Sequence, residues 1–505
     1  MINDALYNKK DSLDLEFVQV RYTDLLGKFL AKYVQCEKEN IQDIFRSGIG
    51  LDGSSVKGFA NIDESDMLLL PDRETLKRIP ISEYDIYTVI ADVYNGFDKG
   101  RSLKDPRNVS QILENHLALN QISCQIGAEV ECFIFDQMRF DVANHDDNNN
   151  NNNNNNDVNL ITNNHNDKDD NNRLIKDVTI ISSEQYGVGK YPIRPKDGYD
   201  VPAFQDSLIE FRFEVASILK SCFDIDVTNL NHEVASSGQI EINFMHNYIT
   251  KSADNVQIYK DVVRNVAKKY GKIANFMPKP IFDDNNPKNS DNGSGMHVSI
   301  SLWTKSSSKN VNLFYDGDDN YAELSQTGRY FIGGLLSHAQ SLAAIVTPTV
   351  NSYKRIVPGF EAPVYIAWAR GNRSAVIRVP VNEKGNAKSK RIEFRAPDPS
   401  SNPYLSFSAI VAAGMDGINQ KIDPGDPIKE DIYKMNDSKR KDLGIGVLPD
   451  SLEKSLSALK SDSKYLNLCF HDDLIDTYFE LKNKEISEVG SGKSRINQFA
   501  FYYDV

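Results

Sequence analysis

Apolar positions recur along this chain with two periods, every second residue in short runs and about every 3.6 residues in longer ones. Before Arg107, runs rich in β-branched and aromatic residues dominate, at Leu15 to Tyr22, Lys28 to Val34 and Asp85 to Val93. They predict a small domain built mainly of strands. The stretch Lys99 to Pro106 breaks the pattern with glycine, serine and proline, so the chain divides at residues 1–104 and 105–505. Beyond the break, helical patterns over Asn108 to Leu119, Asp254 to Tyr270 and Gly328 to Ile345 are interleaved with strands. That mixture predicts an α+β fold for the larger part. Asn148 to Asn156 is an unbroken asparagine run inside a polar stretch, at about 141–175, between two apolar, strand-like segments. It cannot bury enough apolar surface to offset the entropy of ordering, and reads as a disordered surface insertion without chemistry.

Four of the alternating runs carry ligand-type residues on one face. In Gly127 to Phe133 the period of two puts Glu129 and Glu131 on the same side. Two residues of rise separate them by roughly 6.6 Å, where the charges repel by roughly 2.5 kcal/mol at an effective dielectric of about 20. Gln239 to Phe244 places Glu241 beside Gln239 and Asn243, and Glu233 precedes it by eight residues. Met296 to Leu302 puts His297, Ser299 and Ser301 on one face, and Glu393 sits between Arg391 and Arg395. One such pair alone would read as a solvated edge strand, and one such histidine as a satisfied core residue. The recurrence argues otherwise. Five glutamates with a single imidazole suit Mg²⁺ or Mn²⁺ better than zinc. Between Asn351 and Pro380, Lys354, Arg355, Arg370, Arg373 and Arg378 lie near Pro358-Gly359-Phe360-Glu361 and suggest an anionic substrate. Cations and metals together suggest phosphoryl transfer, yet no P-loop sequence is present.

Composition narrows the classes. A net charge of −13 argues against nucleic-acid binding, and no run of 18 apolar residues could cross a membrane. The amino-terminal residues lack a signal-peptide pattern. The five cysteines form no CxxC pair, which favours free thiols in a reducing compartment and a cytoplasmic location.

The motifs together resemble the type I glutamine synthetases. Leu51 to Ser55, NIDESDMLLLPD from Asn61, GAEVE from Gly127, HEVASSGQIE from His232 and GSGMH from Gly293 occur in that order. NSYKRIVPGFEAP from Asn351, NRSAVIRVP from Asn372 and RIEFRAPDPSSNPYL from Arg391 follow. The resemblance implies a β-grasp-like amino-terminal domain and a large catalytic domain with a curved antiparallel sheet. It implies ligation of ammonia to glutamate through γ-glutamyl phosphate, with ATP as substrate and two or more Mg²⁺ or Mn²⁺ ions per site. Glu131, Glu233 and Glu241 would hold one ion, and Glu129, His297 and Glu393 the other. Asn292, Gly293, Arg355 and Arg395 would grip glutamate. Arg373, Arg378, Arg391 and Ser301 would serve ATP. Asp52, Ser55, Tyr199 and Glu361, with Glu233, match the ammonium pocket; Asp52 would be the base, and Glu361 would close over the site. The family's assembly, two stacked hexameric rings, would make Asp52 act in a neighbour's site. The apolar stretch Phe499 to Tyr503 would serve inter-ring contact or dock on its own chain. Ser299 and His246 depart from the family's usual adenine-side residues. Tyr433 aligns with a modified tyrosine of some relatives but lacks its acidic, proline-rich context. The competing readings are a γ-glutamyl-amine ligase, which would lack the acidic ammonium pocket, and an inactive structural relative, which would have lost metal ligands.

Overall fold

A computed structural model describes residues 15–37, 41–79, 86–96, 100–140, 178–286, 289–305, 310–360, 362–490 and 494–505. Strands β1 (Leu15–Thr23) and β2 (Phe29–Glu37), helix α1 (Ile41–Ser47), and strands β3 (Ile49–Asp52), β4 (Asp66–Pro71), β5 (Lys77–Ile79) and β6 (Ile86–Tyr94) form the first unit. Their sheet runs β2-β1-β6-β4-β3, with β5 on the other side of β6, and β1 and β6 are parallel. Alternation explains it: Val18, Val20, Val89 and Val93 face one small core with Leu69 from β4.

The larger unit begins with α2 (Pro106–Leu119). Asp105 caps the helix by accepting from Arg107 N–H, Pro106 fills its first turn, and Val109, Leu113 and Leu117 form its buried stripe. Strand β7 (Ile122–Phe135) is the centre of the main sheet. Strands β8 (Gln137–Arg139) and β9 (Thr179–Ile181) pair on either side of the asparagine-rich stretch, which lies outside the described residues. The chain continues through α3 (Ile209–Phe223), β10 (Val227–His232), β11 (Gln239–Phe244), β12 (Asn247–Tyr248), α4 (Ile249–Lys269), β13 (Ile273–Asn275) and β14 (Met296–Thr304). Then come α5 (Gln326–Ser337), α6 (Ala339–Val346), α7 (Ser352–Arg355), β15 (Tyr365–Arg370), β16 (Ala375–Val379), β17 (Ile392–Phe394) and α8 (Pro403–Gln420). The helices α9 (Asp437–Asp442), α10 (Leu452–Ser461), α11 (Asp472–Val489) and α12 (Arg495–Tyr502), with the short strand β18 (Gly446–Val447), complete it.

The main sheet runs β10-β11-β7-β14-β17-β16-β15-β18, with β12 and β13 also on β7. Every pairing in it is antiparallel except β15 with β16. Helix α4 covers its apolar face: Ser252 and Tyr259 donate to the carbonyls of Ile126 and Val130 at 2.7 and 3.1 Å. The ligand-bearing face is left on the other side.

Two details differ from the reading of periodicity. The helical pattern from Gly328 to Ile345 is two helices, broken at His338, whose ring nitrogens meet Asp462 at 2.8 Å and Asp416 at 3.0 Å. The pull of two carboxylates on one side chain coincides with the break, and no proline is there. The carboxyl-terminal stretch is docked on its own chain. Phe499 and Tyr502 are buried, and the Tyr502 hydroxyl donates to Glu485 at 2.6 Å and accepts from Val350 N–H at 3.1 Å. All five cysteines are free thiols. Among the described residues no helix is long and apolar enough to cross a membrane.

The two units are joined by charge. Arg107 pairs with Asp72 at 2.8 Å and Asp92 at 2.6 Å from the first unit and with Asp254 of α4 at 3.0 Å. The β1–β2 turn is set into the larger unit, where Asn402 Nδ2 donates to Asp24 O at 3.1 Å and Gln257 Nε2 to Gly27 O at 3.1 Å. Gly27 has φ +97°, and a Cβ there would sit 3.0 Å from Asn402 Cα.

Candidate active site

Register decides which of the singled-out side chains meet. Glu129 on β7 lies opposite His297 on β14, and Glu393 on β17 lies opposite Ser299, the next residue on that face of β14. Glu129, His297 and Glu393 each present a ligand atom, and these atoms all lie within 4.8 Å of one another. His297 Nδ1 is 3.6 Å from Glu129 and 3.8 Å from Glu393. Burial, then Arg395, holds the His297 ring well below the usual imidazole range, so it is neutral, the form that coordinates metals. Glu393 is 3% exposed, is hydrogen-bonded by Arg378 and lies 3.2 Å from Arg395 Nε. Burial raises Glu129, against the lowering effects of Arg391, Arg378, Arg395 and Arg373. Two carboxylates and a neutral imidazole fit a hard divalent cation.

Glu131 lies opposite Glu241 on β11. Glu131 Oε2 accepts from Gly295 N–H at 2.9 Å and Gln239 Nε2 at 3.1 Å, and Glu241 accepts from Asn243 at 2.6 Å. Burial raises both carboxyls, and their mutual repulsion raises Glu241 further. Glu233 stands at the mouth of the β10–β11 hairpin, its N–H donating to Gln239 O at 2.9 Å. These three share the neighbourhood without the tight convergence of the first trio.

Arg355 is buried, and its guanidinium donates to Ala396 O at 2.7 Å and Arg395 O at 3.2 Å. Gly293 and Gly295 let the chain pass it: a Cβ at Gly295 would lie 2.7 Å from Arg355 Nη2 and 2.9 Å from His297 Nε2. Asn292 is buried beside them, and Arg395 donates to Arg373 O. Arg373 is exposed, whereas Arg378 and Arg391 are half-buried, and Arg391 donates to Asn382 and to Ser389 O, both at 3.2 Å. Ser301 accepts from Trp303 Nε1 at 2.9 Å along β14.

Tyr199 is exposed on a loop tied to the β10–β11 hairpin by Gly198 N–H to Val234 O and Asp200 N–H to His232 O, each 3.2 Å. Asp52 and Ser55 belong to the other sheet. Asp52 is exposed, and the hydroxyls of Ser54 and Ser55, both at 2.7 Å, hold it below the usual carboxylate range. Among the described residues, none of these hydrogen bonds reaches the main sheet. Glu361 lies outside the described residues.

Sequence reasoning missed Glu184, which is fully buried, bonds His232 Nε2 at 2.9 Å and so ties the Tyr199 loop to the strand before Glu233. Nothing near Glu184 in sequence signals it, because its partner is 48 residues away.

Family models match nearly the whole chain: "Glutamine synthetase, beta-Grasp domain" over residues 14–96 and "Glutamine synthetase, catalytic domain" over residues 103–502. The chain belongs to the glutamine synthetase family. It is similar to a glutamine synthetase of Sulfolobus acidocaldarius, 42% identical over 475 residues covering 94% of this chain and 93% of that one. A glutamine synthetase of Frankia alni is 37% identical, with 97% of each chain covered. Among solved structures, Plasmodium falciparum glutamine synthetase is similar at a TM-score of 0.75 and 27% identity, with 96% of each chain covered. A GmaS complex with ADP has a TM-score of 0.72 and 27% identity over 96% of each chain. The β-grasp sheet and the larger mixed sheet described above are this family's two domains, and the carboxylate cluster lies on the catalytic one.

Proposed function

We propose that this member of the family is a glutamate–ammonia ligase that transfers the γ-phosphoryl group of ATP to the γ-carboxylate of glutamate and lets ammonia displace it. The products are glutamine, ADP and phosphate. The observation that carries the reading is the trio Glu129, His297 and Glu393, two carboxylates and an imidazole on three adjacent strands, with Arg378 and Arg395 against Glu393.

In this reading Glu129, His297 and Glu393 hold one Mg²⁺ or Mn²⁺, and Glu131, Glu233 and Glu241 hold a second. When bound, the ions neutralise charge on the transferring phosphoryl oxygens. Arg355 and Arg395, with Asn292 and Gly293, orient glutamate. Both guanidiniums are anchored through backbone carbonyls, which leaves the forks fixed before substrate arrives. Arg373, Arg378 and Arg391 face the phosphates, and Ser301 lies toward the base. Asp52 stays ionised because two serine hydroxyls donate to it, so it attracts ammonium and takes its proton. Ser55, Tyr199 and Glu361 complete that pocket, and closure at Glu361 keeps water from the acyl phosphate. Asp52 is exposed in the protomer, which favours its acting in a neighbour's site within a homo-oligomer, a dodecamer of two hexameric rings. We place the domain boundary at residue 104, and the protein in the cytoplasm.

The test is phosphate release from ATP and glutamate with Mg²⁺, comparing ammonium, putrescine and methylamine. Ammonium-dependent release with glutamine formed supports the reading. Release with an amine and none with ammonium replaces it by a γ-glutamyl-amine ligase, and no release with any of them points to an inactive relative.

A further inference from the structure

Lys279, in Met277-Pro278-Lys279-Pro280, has no part in the reaction above. It is 1% exposed, and its ammonium has no hydrogen-bond acceptor among the described residues. An ammonium taken out of water without acceptors is costly, so what faces it matters. The Phe360 ring faces it, with its centroid 3.6 Å from Nζ. A second ammonium, that of Lys196, lies 4.4 Å from the same centroid and also donates to Gly359 O at 3.0 Å. An electron-rich ring face attracts a nearby cation without offering it a hydrogen bond. Burial pushes Lys279 down to about 7, with Lys196 and Arg355 acting in the same sense and Asp291 opposing.

The lysine side of this contact is rigid. Asn351 accepts from Lys279 N–H at 2.7 Å and donates to Lys279 O at 3.1 Å, and it also donates to Gln498 of α12 at 2.8 Å. The other side is a short turn. Gly359 has φ +93°, and the turn is tied to the site two residues earlier, where Val357 N–H donates to Arg355 O at 2.8 Å. Fixing Phe360 therefore fixes the chain that leaves Arg355.

We propose that Lys196 and Lys279 are positioning residues whose amino groups pack on the Phe360 ring as a clamp and so hold the turn after Arg355 in place during catalysis. The proposal rests on the preceding reading for the role of Arg355. A loosened turn admits water, and water attacking γ-glutamyl phosphate returns glutamate and phosphate with no glutamine made. The clamp thus governs how many phosphates are released per glutamine.

Two readouts test it on the full-length oligomer. Phe360→Leu and Lys279→Met are expected to lower the glutamine-to-phosphate ratio at least roughly twofold and to speed amide exchange over residues 356–360 at least roughly tenfold. Phe360→Tyr, which keeps the ring, is expected to keep both near wild type. A purely structural lysine predicts something different, since removing a buried unpaired charge would raise the thermal midpoint and leave both readouts alone. Wild-type coupling and wild-type exchange in Phe360→Leu overturn the clamp. If the wild-type protein makes no glutamine at all, the functional reading fails, and the exchange measurement alone decides the clamp.

Discussion

At Glu393, two guanidiniums and one imidazole converge on a carboxylate that water barely reaches. Arg378 and Arg395 pair with this carboxylate, while burial keeps His297 neutral, so a carboxylate oxygen and a lone pair face the same point. His297→Ala removes that lone pair, and Mn²⁺ titration should show affinity weakened at least roughly 10-fold. Unchanged binding would take His297 out of the ligand set. Away from the site, burial pushes Asp24 up from 3.8 to about 6. A carboxyl raised in the fold contributes stability that is full below about pH 4 and is lost as pH rises through about 6. Asp24→Asn should therefore stabilise the protein at pH 7.5, by up to about 3 kcal/mol, and make little difference near pH 4. Thermal midpoints at the two pH values check it. The same residues show what a sequence discloses. Glu129 and His297 were legible because a period of two forces a side on each. That Glu131 would face Glu241 was not, since pairing register is a long-range choice made by the sheet.

Elements carry these side chains to one place, and a glycine governs the tightest approach. A methyl at Gly295 would press on both Arg355 and His297, one assigned to glutamate and the other to metal. Gly295→Ala should lower kcat/KM more than 10-fold with the far-UV spectrum unchanged, and it should weaken Mn²⁺ binding as well. Loss of activity with intact metal binding would locate the strain at Arg355 alone. Strands β1 and β6 of the small domain were readable within a residue, whereas β2 runs three residues past its expected end at Val34. Helix α4 starts at Ile249, five residues before the pattern suggested, because its first turn is packed under β7, where polar Ser252 is buried by donating to Ile126 O. The break at His338 was not readable, since both carboxylates that hold the ring come from distant segments.

For the molecule as a whole, Arg107 is the pin between domains. Its side chain is 6% exposed and meets carboxylates from both. Arg107→Met removes the guanidinium paired with buried Asp254, and should cost about 3–5 kcal/mol in denaturant unfolding. Arg107→Lys should recover only part, because an ammonium cannot fork to three carboxylates. If active sites are shared between subunits, mixed oligomers of Asp52→Ala and Arg355→Ala should regain activity that neither parent has. Inert mixtures, with hybrid assembly verified by mass, would place Asp52 in the site of its own chain.

The pairing of Arg139 with Thr179 has a practical side. It holds the strands that flank the asparagine-rich stretch one strand spacing apart, roughly 5 Å. Whatever is spliced between those strands starts and finishes at a fixed doorway. A fluorophore-bearing peptide or an affinity epitope grafted there would leave and rejoin the fold beside the exposed Arg139 and Thr179, and doubling its length would cost only about 0.6 kcal/mol.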